Sequence, residues 1–387
     1  MNRLNAVDRC GDGATKVVIL LGAAAAATSF FTLAPTLVGA LMDHLRLSVR
    51  EVGLISSGEL AGSALGSALV LLYGRFSSTR TTLIASLALL GVSNFATAAA
   101  HDFSTIATYR VAAGLGGGVA FSVVNAAAAG SGKPGRIFAA ISVAQMTFGA
   151  VGFMAVPPLI NATGLAGVFI LLGVGSFGCA IAALFGVTPA PVHGSRLCSS
   201  LSLTPKGALL LVSLFATYLT STAVWTYLER IAVAARLARD VIGAGLSIGM
   251  ISGILGALGA TALLMRDRNT DRFVIGGAAI MAISTGLLIK ASAPAAYLTA
   301  LFGFNGALAL VTPLYQARLA AESGGDGRIL VAMLAMYLGL ILGPMFGAGL
   351  VVGLGYDDLI HSAAALFLGA ALLALGSSRL SPQEVRL

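Results

Sequence analysis

Two ionisable side chains lie inside long apolar stretches of the sequence. Glu59 stands in "SSGELAGSALGSALV", and Arg110 stands at the head of "RVAAGLGGG". An arginine in hydrocarbon costs roughly 2.5–3.5 kcal/mol on insertion scales, so charges at such positions indicate a functional site or a charged partner. A carboxylate next to an arginine can take up and release a proton, with the arginine tuning the pKa of the acid. The two residues are therefore candidates for proton coupling or for an ion pair.

A second set of polar side chains shares one face of the helix predicted to begin near residue 207. Tyr218, Thr222, Trp225 and Glu229 are spaced by four, three and four residues, which places them on one side of a helix. Such a stripe could line a cavity and bind a solute. Alternatively, its outer end belongs to the aromatic and polar belt that helices carry at a membrane surface.

Three single polar residues are weaker candidates for contact with a solute: Gln145, Asn305 and Tyr337. Each could equally form a hydrogen bond between neighbouring helices. The four histidines lie in or beside polar connections, and the three cysteines have no metal-ligand or Cys-x-x-Cys spacing. We therefore predict no metal site and no cofactor, and we find no residue set that would make the chain an enzyme.

The composition is that of an integral membrane protein. The chain has 387 residues, of which 57% are hydrophobic and only 10% are charged, and its mean hydropathy is +0.94. Soluble domains carry about 25% charged residues. The net charge of +8 comes from basic residues scattered singly between apolar runs, so no nucleic-acid partner is predicted. The first apolar run is too long for a signal peptide and is interpreted as a retained span.

Twelve apolar segments are each near or above the roughly 20 residues that cross a bilayer as a helix. They cover about 17–41, 52–73, 81–100, 105–129, 137–160, 163–187, 207–228, 241–265, 273–292, 294–314, 329–354 and 359–376. Residues 137–187 form one continuous apolar run, which as a single helix would be roughly 75 Å long. The prolines and glycine of "VPPLINATG" predict that this run folds back on itself.

The basic residues indicate the orientation of the spans. With both termini inside, 16 of the 23 lysines and arginines fall in inner segments, six fall in outer segments, and Arg110 is left over. Cytoplasmic segments carry such an excess. We therefore predict that both termini are cytoplasmic.

The chain also reads as two halves joined by a polar linker. The linker covers residues 188–206 and separates six spans in residues 1–187 from six spans in residues 207–387. "GSGKPGRIFAAISVAQ" in the first half resembles "SGGDGRILVAMLAMY" in the second, with Arg136 matching Arg328. Parallel repeats around a midplane site are a transporter architecture.

The sequence resembles the major facilitator superfamily along essentially its whole length. "RVAAGLGGG" is similar to the Arg-x-x-x-Gly-x-Gly pattern of the family's fourth helix. The resemblance implies an all-α membrane fold of two six-helix bundles, in which the second and fourth helices are neighbours. Counted along the helices, Glu59 and Arg110 lie at a similar depth, roughly 10 Å below the outer surface. The pair could couple proton binding to movement, or lock one bundle as a fixed ion pair. Arg110 could also mark the membrane boundary or anchor a solute carboxylate.

Two loops predicted to be cytoplasmic resemble a degenerate form of the family's gating motif, Gly-x-x-x-Asp-Arg-x-Gly-Arg-Arg. "YGRFSSTRTTL" has a glycine where the motif has its aspartate, and "MRDRNTDRF" keeps an acid–base pair. The resemblance implies a role in conformational gating for Arg75, Arg80, Asp267, Arg268 and Arg272. The family's Gly-Pro antiporter motif is missing from the fifth span, which weighs against a drug/proton antiporter.

The function implied is secondary active transport of a small organic solute by alternating access, coupled to protons. The solute would be an organic anion or another metabolite. The alternatives are a proton-driven multidrug efflux antiporter and, more remotely, a receptor or scaffold that does not transport. The expected partners are the solute, protons and membrane lipid, with the protein a monomer in the cell membrane, as in a bacterial inner membrane.

Overall fold

The computed structural model describes residues 4–74, 77–132, 134–187, 204–266, 270–321 and 327–379, and these ranges contain helices and connections but no strand. The helices are α1 (Leu4–Ala27), α2 (Ser29–Leu45), α3 (Val49–Tyr73), α4 (Thr79–Ala98), α5 (Phe103–Ala129), α6 (Pro134–Gly186), α7 (Pro205–Ala234), α8 (Arg239–Met265), α9 (Asp271–Leu287), α10 (Pro294–Ala321), α11 (Gly327–Leu354) and α12 (Tyr356–Arg379). A short 3₁₀ turn, Leu288–Lys290, follows α9.

Eleven segments in the described part of the chain are long and apolar enough to cross a membrane, and α1 and α2 together supply the first, Ala14–Leu45. This confirms the prediction of an all-helical, multi-pass membrane protein. The exposed apolar side chains fit that setting, because they are the ones that lipid would cover.

The long helix α6 contains a reversal of chain direction at Gly164. Gly164 has φ 74° and ψ 178°, which is not helical, and the two parts of α6 meet there. Before the break, Gln145 bonds Thr28 and Gly152 abuts Leu33, so this part runs parallel to the first span. After the break, Cys179 lies against Gly22, a contact earlier in the first span reached later in α6. The second part is therefore antiparallel to the first, as the "VPPLINATG" stretch predicts.

Contacts divide the chain into two compact units. The first consists of Met1–Leu33 with Gly58–Ser195, and the second of Ala34–Ser57 with Arg196–Leu387. The hairpin formed by the end of α2 and the start of α3 thus packs with the second unit, although the sequence places it in the first half. The unit boundary crosses α2 and α3 within their helical stretches.

In the first unit, the glycines of α5 bring three other helices into backbone contact. A Cβ atom at Gly114 or Gly118 would overlap a carbonyl oxygen of α3, and one at Gly117 would lie 2.5 Å from the Ala27 carbonyl oxygen of α1. A Cβ atom at Gly116 would lie 2.7 Å from the Ser86 carbonyl oxygen of α4. Small residues permit such close approach between membrane helices. The "GLGGG" run is therefore a helix-packing surface.

The second unit uses glycines in the same way in two helix pairs. Helix α11 packs on α7, where a Cβ atom at Gly343 would lie 2.6 Å from the Leu219 carbonyl oxygen. Helix α8 packs on α10, where a Cβ atom at Gly256 would overlap the Gly306 carbonyl oxygen. These close pairs position the polar residues of α7 and α10.

Candidate functional site

Arg110 is completely buried in the first unit and is held on several sides. Its Nη2 atom donates to Asn94 Oδ1 at 2.8 Å, and its Nε atom donates to Thr97 Oγ1 at 3.2 Å. The Phe30 and Phe169 rings lie 5.2 and 5.1 Å from the guanidinium carbon. A planar guanidinium gains from such stacking as well as from its in-plane hydrogen bonds. Arg110, at 0% exposure, is thus fixed independently of any carboxylate.

Helix α4 supplies two buried acceptors to the arginine. Thr97 donates its hydroxyl proton to the Ser93 carbonyl oxygen at 2.7 Å, which orients the hydroxyl and leaves its oxygen free to accept. Asn94 must present its oxygen to Arg110, because a guanidinium has donors only. Asn94 and Thr97 are themselves buried. Both acceptors are therefore shielded from solvent.

Glu59 faces the same arginine from α3. Its Oε2 atom lies 3.6 Å from Arg110 Nη1, and Glu59 is only 7% exposed. Gly114, one turn after Arg110, backs onto the Glu59 carbonyl oxygen, so the α3–α5 contact sets the two side chains beside each other. The structure thus brings together the two charges that the sequence singles out.

The two partners of this pair are held unequally. At 3.6 Å the contact is an ion pair without a hydrogen bond, and neither Glu59 Oε2 nor Arg110 Nη1 has a hydrogen-bond partner within the described part of the chain. Arg110 keeps its contacts to Asn94, Thr97 and the two rings whether or not Glu59 is charged. Protonation of Glu59 would therefore remove its only salt bridge among the described residues without releasing the arginine.

The polar stripe of α7 lies in the second unit and packs mostly against other helices. The Tyr218 hydroxyl is 2.9 Å from Thr312 Oγ1 of α10, and the Thr222 hydroxyl donates to the Tyr218 carbonyl oxygen at 2.6 Å. Thr222 Cβ lies against Gly343 of α11. Thr222 and Trp225 are buried. Tyr218 is the member of the stripe that bonds another helix through its polar atom.

Glu229, at the C-terminal end of that stripe, belongs to a three-residue charge cluster. Arg230 donates to Asp43 at 2.7 and 2.9 Å and to Glu229 at 2.6 and 3.1 Å. Gly39 lies directly against the Glu229 carboxylate, where a Cβ atom would overlap it. The cluster therefore holds the end of α2 on α7.

The single polar residues form local contacts. Gln145 Nε2 donates to Thr28 Oγ1 at 2.8 Å within the first unit. Asn305 Nδ2 donates to the Leu301 carbonyl oxygen at 3.3 Å and lies against Gly249 in the second unit. Tyr337 is half-buried on α11. Gln145 and Asn305 therefore serve helix packing in this structure.

Two of the five predicted gating residues, Arg80 and Arg272, lie at the starts of α4 and α9, and the other three (Arg75, Asp267 and Arg268) lie outside the described residues. Next to Arg272, Asp271 Oδ1 accepts from Arg318 Nε at 2.9 Å. Arg318 is 7% exposed and also contacts Ser377 at 3.3 Å. This buried arginine of α10 was not singled out from the sequence, because it reads there as one more basic residue of an inner loop.

Sequence reasoning also missed the groups that hold Arg110. Asn94 is the one of these that carries a signal, since it is an amide inside the apolar segment 81–100. Phe30, Phe169 and Thr97 resemble ordinary span residues.

In the described ranges, no group of three or more His, Cys, Asp or Glu side chains could hold a metal ion.

Comparison with known proteins identifies the family. A sequence profile of the Major Facilitator Superfamily matches residues 19–326, so the chain belongs to this superfamily. It is a membrane transporter of the secondary type and not an enzyme. A search of curated protein sequences gives no match.

Solved transporters share the fold at low sequence identity. The nucleoside transporter NupG has a TM-score of 0.74 and 12% identity over 94% of this chain and 99% of that chain. The human organic anion transporter MFSD10 (TETRAN) has a TM-score of 0.68 and 16% identity over 94% and 99%. A bacterial homologue of the human lysosomal transporter Spinster has a TM-score of 0.67 and 12% identity over 97% and 99%.

Proposed function

We propose that this protein couples transport of a small organic solute to protons, with Glu59 as the group that takes up and releases the proton. The observation that carries the proposal is the unequal hold on the ion pair. Arg110 has two hydrogen bonds and two aromatic faces besides Glu59. Of the residues that the structure describes, none forms a hydrogen bond with Glu59 Oε2, and Arg110 Nη1 lies 3.6 Å away.

The physical reason is that a buried carboxylate is stabilised chiefly by its counter-charge. When a solute or a movement of α3 weakens that attraction, the neutral acid becomes the cheaper state, because the charged form pays for its desolvation. Arg110 meanwhile stays in place. The site can therefore change charge without collapsing, which a coupling site must do.

Complete burial of Arg110 weighs against its use as a direct anchor for a solute carboxylate. With 0% exposure and two aromatic rings beside it, the guanidinium has no surface to offer a solute. We assign Arg110 to Glu59 and place the solute elsewhere. Organic anions and nucleosides are the first classes to test, because they are named for two transporters with a similar fold.

We further propose twelve spans in two six-helix bundles, residues 1–187 and 207–387, which work by alternating access. The reversal at Gly164 supports a division of α6 into two spans, and the excess of basic residues in the inner segments supports cytoplasmic termini. We assign the protein to a cell membrane of the bacterial inner-membrane kind, as a monomer with lipid around it.

Infrared difference spectroscopy of the reconstituted protein tests the proton site without knowledge of the solute. Lowering the pH should produce, in the carboxylic acid C=O region of the wild-type spectrum, a component that belongs to Glu59 and is missing from Glu59→Gln. Glu51→Gln is the matched control, because Glu51 lies on the same helix and binds Ser48 near the surface. If the spectra of wild type and Glu59→Gln show the same carboxylic acid components, the assignment of the proton site to Glu59 is contradicted.

Transport assays then test coupling. A thermal-shift screen of organic acids, nucleosides, sugars and lipophilic cations supplies a solute, which is followed in proteoliposomes under an imposed pH gradient. Glu59→Gln should bind and exchange that solute but fail to accumulate it. Normal accumulation by Glu59→Gln would rule out Glu59 as the coupling group. A hit among lipophilic cations alone would favour drug efflux instead.

A further inference from the structure

Three buried polar atoms at Arg110 and its neighbours lack a hydrogen-bond partner among the described residues. They are Glu59 Oε2, Arg110 Nη1 and Asn94 Nδ2. All three belong to residues that are more than nine-tenths buried, and Arg110 contacts both Glu59 and Asn94. A buried donor or acceptor left unpaired costs about 1–3 kcal/mol, more for a charged group. Three in one cluster point to a bound group that satisfies them together.

The surrounding contacts restrict what that group can be and where it can lie. The Phe30 and Phe169 rings lie 5.2 and 5.1 Å from the guanidinium carbon, and the Nη1 protons lie in the guanidinium plane, so a hydrogen-bond acceptor must approach in that plane. Asn94 cannot flip to satisfy its own nitrogen, because its oxygen is needed by Arg110 Nη2 at 2.8 Å. The unpaired set therefore consists of two donors and one acceptor.

We propose that a single water molecule occupies this place, accepting from Arg110 Nη1 and Asn94 Nδ2 and donating to Glu59 Oε2. A water has two acceptor sites and two protons, so these contacts use both lone pairs and one proton. An ion cannot meet this set: a cation would face Arg110, and an anion would face Glu59. The gap of 3.6 Å between Nη1 and Oε2 is too long for a direct hydrogen bond, and a water beside it can reach both atoms.

Such a water would distinguish the two states of Glu59. With both lone pairs engaged by Arg110 and Asn94, it can only donate to its third neighbour. A charged Oε2 accepts that bond as a strong, charge-assisted one, and protonation of Glu59 removes this charge and weakens the bond. Asn94 thus becomes a positioning residue for the coupling acid. This role rests on the proposed function, but the presence of the water does not.

The test is a structure of the full-length protein in lipid nanodiscs, resolved finely enough to show ordered waters, above and below the pH at which the infrared band of Glu59 appears. At the higher pH we expect a density peak within hydrogen-bond distance of all three atoms, and at the lower pH we expect it to weaken. A dry cluster at both pH values would overturn the inference.

Two variants of Asn94 and a control complete the experiment. Asn94→Leu removes the Nδ2 donor, and Asn94→Asp removes it while keeping an acceptor for Arg110, so a folding failure of the first leaves the second informative. Both should lose the density peak. Ser86→Ala, a buried position of the same helix whose hydroxyl donates to the Leu83 carbonyl oxygen, should retain it. A peak that survives in both Asn94 variants would overturn the role of Asn94.

The outcome separates this inference from the proposed function. A density peak without any infrared titration of Glu59 would leave the water site standing and remove the proton-coupling role. If Glu59 titrates but no density peak appears at the three atoms, the proton-coupling role stands and the water site is ruled out.

Discussion

Arg230 holds Asp43 through two parallel hydrogen bonds of 2.7 and 2.9 Å, although the two residues are 187 positions apart in the chain. This side-by-side geometry is the strongest form of an arginine–carboxylate contact. Arg230 also bonds its neighbour Glu229 through Nε and Nη2, so all three of its side-chain nitrogens donate. The contact fixes the C-terminal end of α2 within the second unit.

Asp43→Asn should weaken that attachment only modestly. The Asp43 side chain is 49% exposed, and exposed ion pairs contribute about 0–1 kcal/mol. Glu229→Gln should cost more, because the Glu229 side chain is only 17% exposed. Thermal unfolding in detergent at low and high salt measures both, and the effect of Asp43→Asn should shrink with salt. Equal, salt-independent losses would contradict a screened surface contact.

Loss of Arg110 should destabilise the first unit far more than neutralisation of Glu59. Arg110→Leu leaves a buried carboxylate without its cation and removes the donor of Asn94 and Thr97, so a loss of about 3–5 kcal/mol is expected. Glu59→Gln leaves the arginine with its other contacts and should cost clearly less. Arg110→Lys, which restores the charge but not the planar fork, should rescue only in part. Chemical unfolding in detergent measures the order, and similar losses for both sites would exclude the unequal hold.

Gly114→Ala should disrupt the contact between α3 and α5. The added Cβ atom would overlap the Glu59 carbonyl oxygen, and overpacking of this kind costs about 1–3 kcal/mol. Gly178→Ala is the matched control, since no atom lies within 4 Å of its added Cβ and alanine is the better helix former. Thermal unfolding should fall for the first and stay level or rise for the second. A harmless Gly114→Ala would mean that the helices are less close than described.

The N-terminus of α5 should lose its cap in acid. Hydrogen bonds from the Thr105 hydroxyl and backbone N–H, with one from the Ser104 hydroxyl, lower the pKa of Asp102 from 3.8 to about 2. A lowered folded-state pKa stabilises the cap above the unfolded value, and this contribution is lost as the pH falls from about 4 to about 2. Amide hydrogen exchange in the first turn of α5 should rise over that window. Asp102→Asn keeps a hydrogen-bond acceptor at the cap but does not titrate, so it should flatten the pH dependence of exchange. If the pH dependence in Asp102→Asn equals that of the wild type, the role of Asp102 as a titrating cap is contradicted.

The sequence predicted the pair of Glu59 and Arg110 but not its surroundings. Two charges in apolar runs stand out by their cost, and counting residues along helices places them at one depth. Asn94, Phe30 and Phe169 do not stand out, because neutral amides and aromatic rings are common in spans. Their role depends on tertiary packing, which periodicity does not encode.

The stripe on α7 illustrates the same limit. Spacing correctly places Tyr218, Thr222 and Trp225 on one face, but it does not say what that face meets. Thr222 meets Gly343 of α11, a contact between segments far apart in sequence. Asp43 was overlooked because a charge near a span end reads as a loop residue.

The backbone contacts of α5 have a mechanical consequence. Backbone carbonyl groups of α1, α3 and α4 lie directly against its glycines. If one of these helices moved along its axis, the larger side chains next to the glycines would collide with the neighbouring backbone. Shear inside this unit is therefore opposed by direct contact between backbone atoms. Helices α1, α3, α4 and α5 should accordingly move together when any one of them moves.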